Sequence, residues 1–211
     1  MHPRFTPTLQ RAALCAFTLA AALMTPHAHA ALQDRDLDGD TVVDAFYDTD
    51  LDITWLRNAN VNGAQDWDTQ VAWASNFSFG GYDDWRLPTT DTSCSGSNCT
   101  GSEMGHLYYV ELGNVASVSP INTGAFQNLQ GQYWSGTPAV SDSGGAWQFS
   151  FDLPSFPFVN GIQFETGKFN PLPALVVRGG DVLPAVPEPA TGAMLMLGLG
   201  GLAVATRRRT R

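Results

Sequence analysis

Gly80-Gly81-Tyr82-Asp83-Asp84-Trp85-Arg86-Leu87-Pro88-Thr89 is the stretch against which the other segments of this 211-residue chain are placed. The glycine pair lets the backbone turn. Pro88 ends regular structure, and conflict with its ring holds Leu87 extended. Between them stand two acids, a tryptophan and an arginine. A planar guanidinium stacks on indole and pairs bidentately with a carboxylate, which lysine does not do. Arg86 is therefore expected to pair with Asp83 or Asp84. Trp85, Arg86, Leu87, Pro88 and Thr89 read as a structural motif, a packing hinge where a first helix hands over to the rest of the domain.

Upstream, residues 64–76 carry Trp67, Val71, Ala74 and Ser75 at helical spacing, with Ala72 beside them. Residues 42–47 and 51–56 are rich in strand formers, and Asp48-Thr49-Asp50 supplies a turn between them. Before these lies an acidic run. Asp34, Asp36, Asp38, Asp40 and Asp44 are candidate calcium ligands, because alternating carboxylates with a central Gly39 resemble the start of an EF-hand loop. The twelfth position counted from Asp34 is Ala45, where that loop carries a bidentate carboxylate, and no helix leads in. The other reading is a solvated acidic turn that enters a strand.

Downstream, residues 89–101 form a polar loop that holds Cys94 and Cys99. An exported chain with an even cysteine count outside its leader suggests a disulfide. A zinc site is the rival reading, although one cysteine pair and a single nearby histidine do not make four ligands. Ser102 is placed to cap a second helix, with Glu103 in its first turn. Met104, Leu107, Tyr108, Val110 and Leu112 give that helix its apolar positions, and Gly113-Asn114 stops it. His106, the only histidine beyond residue 30, reads as a core-edge residue rather than a ligand. Residues 115–131 read as loop. Strands are expected at 132–136, 146–151, 159–165 and 175–178, with Trp147, Phe149 and Phe151 on one face. Helices early and short antiparallel strands late make an α+β pattern.

Both ends read as processing signals. Residues 2–11 form a basic n-region, and 12–24 an apolar run too short to span a bilayer. Ala28-His29-Ala30 then offers a small-x-small cleavage site, so residues 1–30 are read as a secretory signal cut after Ala30. At the other end, Pro187-Glu188-Pro189 precedes an apolar run at 190–206, and Arg207, Arg208, Arg209 and Arg211 close the chain. About 17 residues at 1.5 Å rise reach roughly 25 Å, a marginal membrane span. The arginines keep to the cytoplasmic side. Residues 31–186 hold 19 acids against five bases, a net charge of −14. That excludes nucleic acid and anionic lipid as partners, which need clustered Lys and Arg, and it permits cations. The expected division is an acidic segment at 31–50, a domain at 51–180, a linker at 181–186 and a sorting segment at 187–211.

The end of the chain resembles the PEP-CTERM sorting signal: Pro187-Glu188-Pro189, one apolar helix and a basic end, in that order. The resemblance implies an exosortase-type membrane protease as partner, in a diderm bacterium that makes exopolysaccharide. The apolar helix is then either a removable membrane handle or a single-span anchor. The body resembles the Lcl C-terminal domain family. The matching segments, in order, are Leu51-Asp52-Ile53-Thr54-Trp55-Leu56, the Trp67 helix, Asp84-Trp85-Arg86-Leu87-Pro88-Thr89, Tyr133-Trp134-Ser135-Gly136-Thr137, Ala146-Trp147 and Val176-Val177-Arg178. This resemblance implies a C-type lectin-like fold, with two helices and a small antiparallel sheet among long loops. It implies surface attachment and glycan binding, without a catalytic set. One departure stands out. The family starts a Glu-Leu helix just after its Leu-Pro-Thr, whereas here an insert at 91–100 separates Thr89 from Glu103. The ligand-facing surface is expected near that insert.

Six tryptophans, at 55, 67, 73, 85, 134 and 147, read as core rather than sugar platforms. Tyr82, Tyr133, Phe156 and Phe158 are the candidate exposed aromatics. Arg57, Arg86 and Arg178 read as structural, each paired with a carboxylate. Arg-Leu-Pro-Thr also occurs in formylglycine-generating enzymes, but those rely on two active-site cysteines, and Cys94 and Cys99 lie in the insert. A hydrolytic triad needs a nucleophile beside His106, and no Ser or Cys motif supplies one. No carboxylate pair is marked out for glycosidase chemistry. The chain is therefore expected to be non-catalytic, with no cofactor other than calcium. It reads as an exported surface or matrix protein that binds glycan or a surface partner. A matrix component without a specific ligand, or a matrix hydrolase, are the alternatives.

Overall fold

Strand β2 (Ala45–Asp48) and strand β3 (Ile53–Leu56) form an antiparallel hairpin, as their β-branched and aromatic content requires. The turn is held by the Asp48 carboxylate, whose Oδ1 accepts the N–H groups of Asp50 and Leu51 at 3.1 Å. Strand β1 (Gln33–Arg35) adds to one side of this hairpin and strand β8 (Val177–Gly179) to the other. The order of the first sheet is β1-β2-β3-β8. This computed structural model describes residues 32–151 and 160–182. The leader with Ala30, the aromatics Phe156 and Phe158, and the segment from 183 onward with Pro187, Glu188 and Pro189 lie outside the described residues. Among the described residues no helix is long and apolar enough to cross a membrane.

Helix α1 (Trp67–Ala74) is shorter at both ends than its apolar spacing indicates. Asp66 sets its start, accepting the Thr69 N–H at 2.9 Å and the Thr69 hydroxyl at 2.8 Å. Its buried face contains Gln70, fully buried although polar. Gln70 Nε2 donates to the carbonyls of Gly63 and Leu172, and its Oε1 accepts from Asn62, so the amide carries no unpaired group into the core. Helix α2 (Glu103–His106) is a single turn that continues into a π-helical turn at Leu107–Glu111. Gly113 ends the pair with φ +62°.

The second sheet has the order β4-β7-β6-β5, from β4 (Gly96–Ser97), β5 (Gln132–Pro138), β6 (Gly145–Ser150) and β7 (Ile162–Gly167). All pairings in both sheets are antiparallel. The fold is thus α+β, with two sheets where the sequence indicates one small sheet. The reason is a long-range closure: β8 returns to pair with β3 rather than extending the later strands.

Successive residues of a strand face opposite ways, and here both sides are filled. One apolar cluster takes Trp55, Tyr133, Phe149, Phe151 and Val177 together with Leu107 and Tyr108 of the helical segment. The other takes Leu56, Trp134, Ala146 and Val176 with Trp85, Leu87 and Ala74. Strand β6 is buried along its whole length, not on the Trp147 face alone. Four tryptophans (55, 85, 134 and 147) are buried, as expected of core residues. The two half-buried ones are covered: Lys168 Nζ sits 4.3 Å over the Trp67 ring, and Phe77 packs 4.9 Å from Trp73.

Candidate functional site

The stretch around Trp85 joins the two sheets. Arg86 exchanges both backbone hydrogen bonds with Val177, at 2.8 and 2.9 Å, which ties it to β8 of the first sheet. The Pro88 carbonyl accepts the Gly136 N–H at 2.8 Å and the Ser135 hydroxyl at 2.9 Å, which ties it to β5 of the second. Trp85 is 2% exposed in the second cluster. The Arg86 side chain does not pair with Asp83 or Asp84. It makes a bidentate contact with Glu103, at 2.7 and 2.8 Å, and Glu103 also accepts the Thr89 N–H at 2.7 Å. The extended backbone carries Arg86 across to the start of α2, while Asp84 turns to Arg178 at 2.7 and 2.9 Å. Arg178 stacks on Tyr82 at 4.3 Å, so this ring is not an open platform. Arg57 also departs from expectation, donating to the carbonyls of Val43 and Ala125 rather than to a carboxylate. Tyr133, expected among the exposed aromatics, is fully buried, and its hydroxyl oxygen accepts the Gln130 N–H.

The insert at 91–100 is tied to the second sheet, although most of its residues stay exposed. Cys94 and Cys99 form a disulfide, which removes the zinc reading of this pair. Strand β4 within the insert extends the second sheet by pairing with β7, and Gln163 Nε2 reaches the carbonyls of Asp91 and Cys94 at 3.0 and 2.7 Å. Cys99 is 1% exposed, so close under α2 that a Cβ on Gly105 would meet its carbonyl oxygen. The bridge closes a loop of only 5 residues' separation, so chain entropy gives it about 2 kcal/mol. Cys94→Ser with Cys99→Ser is expected to lower stability by about that much. Urea melts of the two proteins check it; equal midpoints would show that the strap is held by its hydrogen bonds alone.

The acidic run is split by the fold. Asp36, Asp38 and Asp40 converge, each offering an oxygen within 4.8 Å of the others. Backbone N–H groups of Gly39, Asp40, Thr41 and Val42 orient these three carboxylates. The bonds from Thr41 first, and then from Gly39, hold the Asp36 carboxyl below its usual range. Asp34 instead lies in β1 opposite Phe46, and Asp44 accepts the Leu37 N–H at 2.9 Å. The loop register therefore starts at Asp36. Thr41 occupies its sixth position with φ +73°, a conformation that favours glycine. Asp44 falls at the ninth.

Beside this loop runs a groove of about 290 Å³, lined in part by Val42, Asp44, Asn58, Val61, Phe79 and Gln127. Phe77 and Phe79 lie parallel beneath it, 6.4 Å apart. Val42 and Val61 are 51% and 43% exposed. Sequence reading missed this groove because residues 42–44, 58–61, 77–79 and 127 come from four separate loops.

A second grouping was also missed. His106 lies against Asp48, Asp50 and Glu111, its Nε2 at 3.9, 3.7 and 3.4 Å from their oxygens. Burial first, and then the Asp48 carboxylate, push the Glu111 carboxyl above its ordinary range. The one sequence signal was a lone histidine five residues from an acid across the run Leu107-Tyr108-Tyr109-Val110.

A family model described as the Lcl C-terminal domain matches residues 44–178. The chain belongs to the Lcl C-terminal domain family. The match begins at Asp44, so Asp36, Asp38 and Asp40 precede it, while the Trp85 joint, the insert, His106 and Glu111 fall inside the Lcl C-terminal domain. A second match, to the PEP-CTERM protein-sorting motif, covers residues 185–209 and includes Pro187, Glu188 and Pro189. The motif implies exosortase processing and export to the cell surface or membrane. No curated protein matches the chain.

Proposed function

We propose that this Lcl C-terminal domain is lectin-like and non-catalytic, and that it binds glycan of the cell surface or exopolysaccharide matrix through the groove at Phe77 and Phe79. The groove carries the reading. Sugars present apolar C–H faces ringed by hydroxyls, and they are held by aromatic faces together with planar amide and guanidinium groups. The groove offers Phe77 and Phe79, with Asn58, Gln127 and Arg57 around them. Two antiparallel sheets with two short helices and long loops support the lectin-like fold. The disulfide between Cys94 and Cys99 leaves neither as a free thiolate for nucleophilic catalysis, which supports a binding role.

Calcium is part of the proposal. Asp36, Asp38 and Asp40, with Asp44 at the ninth position, offer the oxygen ligands that a hard cation takes. Asp44 lines the groove and also bonds to Leu37, so an ion in the loop would stiffen one groove wall. The protein is expected to bind exopolysaccharide from its own cell surface on a glycan array or in a pull-down. Chelation or Asp38→Ala should weaken that binding. A blank array and no pull-down favour a structural matrix component without a specific ligand. Binding indifferent to chelation and to Asp38→Ala removes calcium from the account.

A further inference from the structure

We propose that Asp48, His106 and Glu111 form a binding site for a divalent transition-metal ion such as Zn²⁺ or Mn²⁺. This site is separate from the acidic loop and from the groove. Glu111 is the observation that demands an explanation. Its side chain is 1% exposed, yet among the described residues neither carboxylate oxygen has a hydrogen-bond partner. His106 Nε2 is likewise buried and makes no hydrogen bond among the described residues, although it lies 3.4 Å from Glu111 Oε1. A buried carboxylate with both oxygens unsatisfied costs several kcal/mol unless a cation meets it.

The geometry suits an ion. One oxygen from Asp48, one from Glu111 and one ring nitrogen of His106 all lie within 4.8 Å of one another. Ligand atoms around an ion at about 2.1 Å stand roughly 3.0–3.4 Å apart at neighbouring corners, and His106 Nε2 already stands 3.4 Å from Glu111 Oε1 and 3.9 Å from Asp48 Oδ1. The elements that bring them together are firm. Asp48 is fully buried in β2 and oriented by the Asp50 and Leu51 N–H groups. In an α-helix, side chains five residues apart diverge. The π-helical turn at Leu107–Glu111 widens the helix there, and Glu111 comes back over His106; such turns recur at functional sites. Asp50 stands at the rim, 47% exposed and 3.7 Å from Nε2, outside the converging group of three.

The donor set selects the ion. An imidazole nitrogen with two carboxylates suits zinc or manganese, whereas calcium and magnesium take oxygen ligands. An ion here would pin the β2–β3 turn to the helical segment.

The test uses the purified full-length chain, stripped with chelator and then titrated with Zn²⁺, Mn²⁺ or Ca²⁺ by calorimetry and thermal unfolding. Zn²⁺ or Mn²⁺ is expected to bind one site and raise Tm. Glu111→Gln should abolish that binding while raising the Tm of the metal-free protein, because it removes a buried carboxylate that faces the Asp48 carboxylate. His106→Gln should also abolish binding, and Asp38→Ala should leave it intact. Absence of zinc and manganese binding overturns the proposal. So does a Glu111→Gln protein that binds either ion as the parent does. Calcium heat lost in Asp38→Ala alone would report on the acidic loop and not on this site.

Discussion

Trp134→Ala is expected to lower stability by about 3–5 kcal/mol, the range for emptying a large aromatic from a packed core. Trp134 has no exposed surface and sits in the second cluster with Trp85, Leu87 and Val176. Its indole N–H donates to the Gln65 carbonyl at 3.2 Å, and its backbone N–H donates to the Pro173 carbonyl at 3.1 Å, so this residue joins β5 to the segment before α1 and to the segment before β8. Natural domains hold only about 5–15 kcal/mol in total. A loss of this size in a domain of this length would move Tm by roughly 10 °C. Trp73→Ala is the control, since Trp73 is half-buried and packs mainly against Phe77. Guanidinium melts should place the Trp134 variant well below the Trp73 variant. Equal midpoints would mean that the second cluster is not a packed core.

Arg86→Met should be the next most costly change, at about 2 kcal/mol. Breaking a fully buried pair costs about 3–5 kcal/mol, because the remaining charge is stranded. The Arg86 side chain is 39% exposed and Glu103 only 14%, so solvent screens part of that penalty. What remains is Glu103 with the Thr89 N–H alone. Arg86→Met combined with Glu103→Gln should recover part of the loss, since the stranded charge is gone. Asp83→Ala should be nearly silent. Strict additivity of the Arg86 and Glu103 changes in denaturant melts would contradict the bidentate contact. A large effect of Asp83→Ala would return the pairing to the local acid.

These two residues also show what a single sequence can carry. The strands at 45–48, 53–56, 132–138 and 145–150 were legible because alternation and β-branched content are local signals. Trp85 was legible as a structural residue for a similar reason, standing in a run that glycine and proline punctuate. Arg86 was legible as paired, but not its partner. Glu103 lies 17 residues away, and only the extended run through Leu87 and Pro88 brings it back. Strand β4 was hidden inside a loop of polar residues, because two residues of backbone pairing leave no periodicity.

The candidate sites divide in the same way. The acidic run at 34–44 was visible as a pattern, but its register was not. Backbone bonds to Asp36 place the converging oxygens on Asp36, Asp38 and Asp40, two residues later than a count from Asp34 suggests. The groove was invisible because four loops build it. The pairing of His106 with Glu111 was hidden by an α-helical assumption, since a spacing of five puts two side chains on one face only when the helix widens.

The most direct test of the glycan reading is a calorimetric titration of soluble exopolysaccharide fragments into the parent protein and into Gln127→Ala and Phe79→Ala. The Gln127 side chain is exposed on the groove rim, and Phe79 is half-buried in its floor. Both variants are expected to fold, because the backbone bonds of residues 79 and 127 do not depend on their side chains. Saturable binding by the parent, weakened at least tenfold (about 1.4 kcal/mol) in each variant, is the predicted result. Binding of equal strength in all three proteins would contradict the groove as the site.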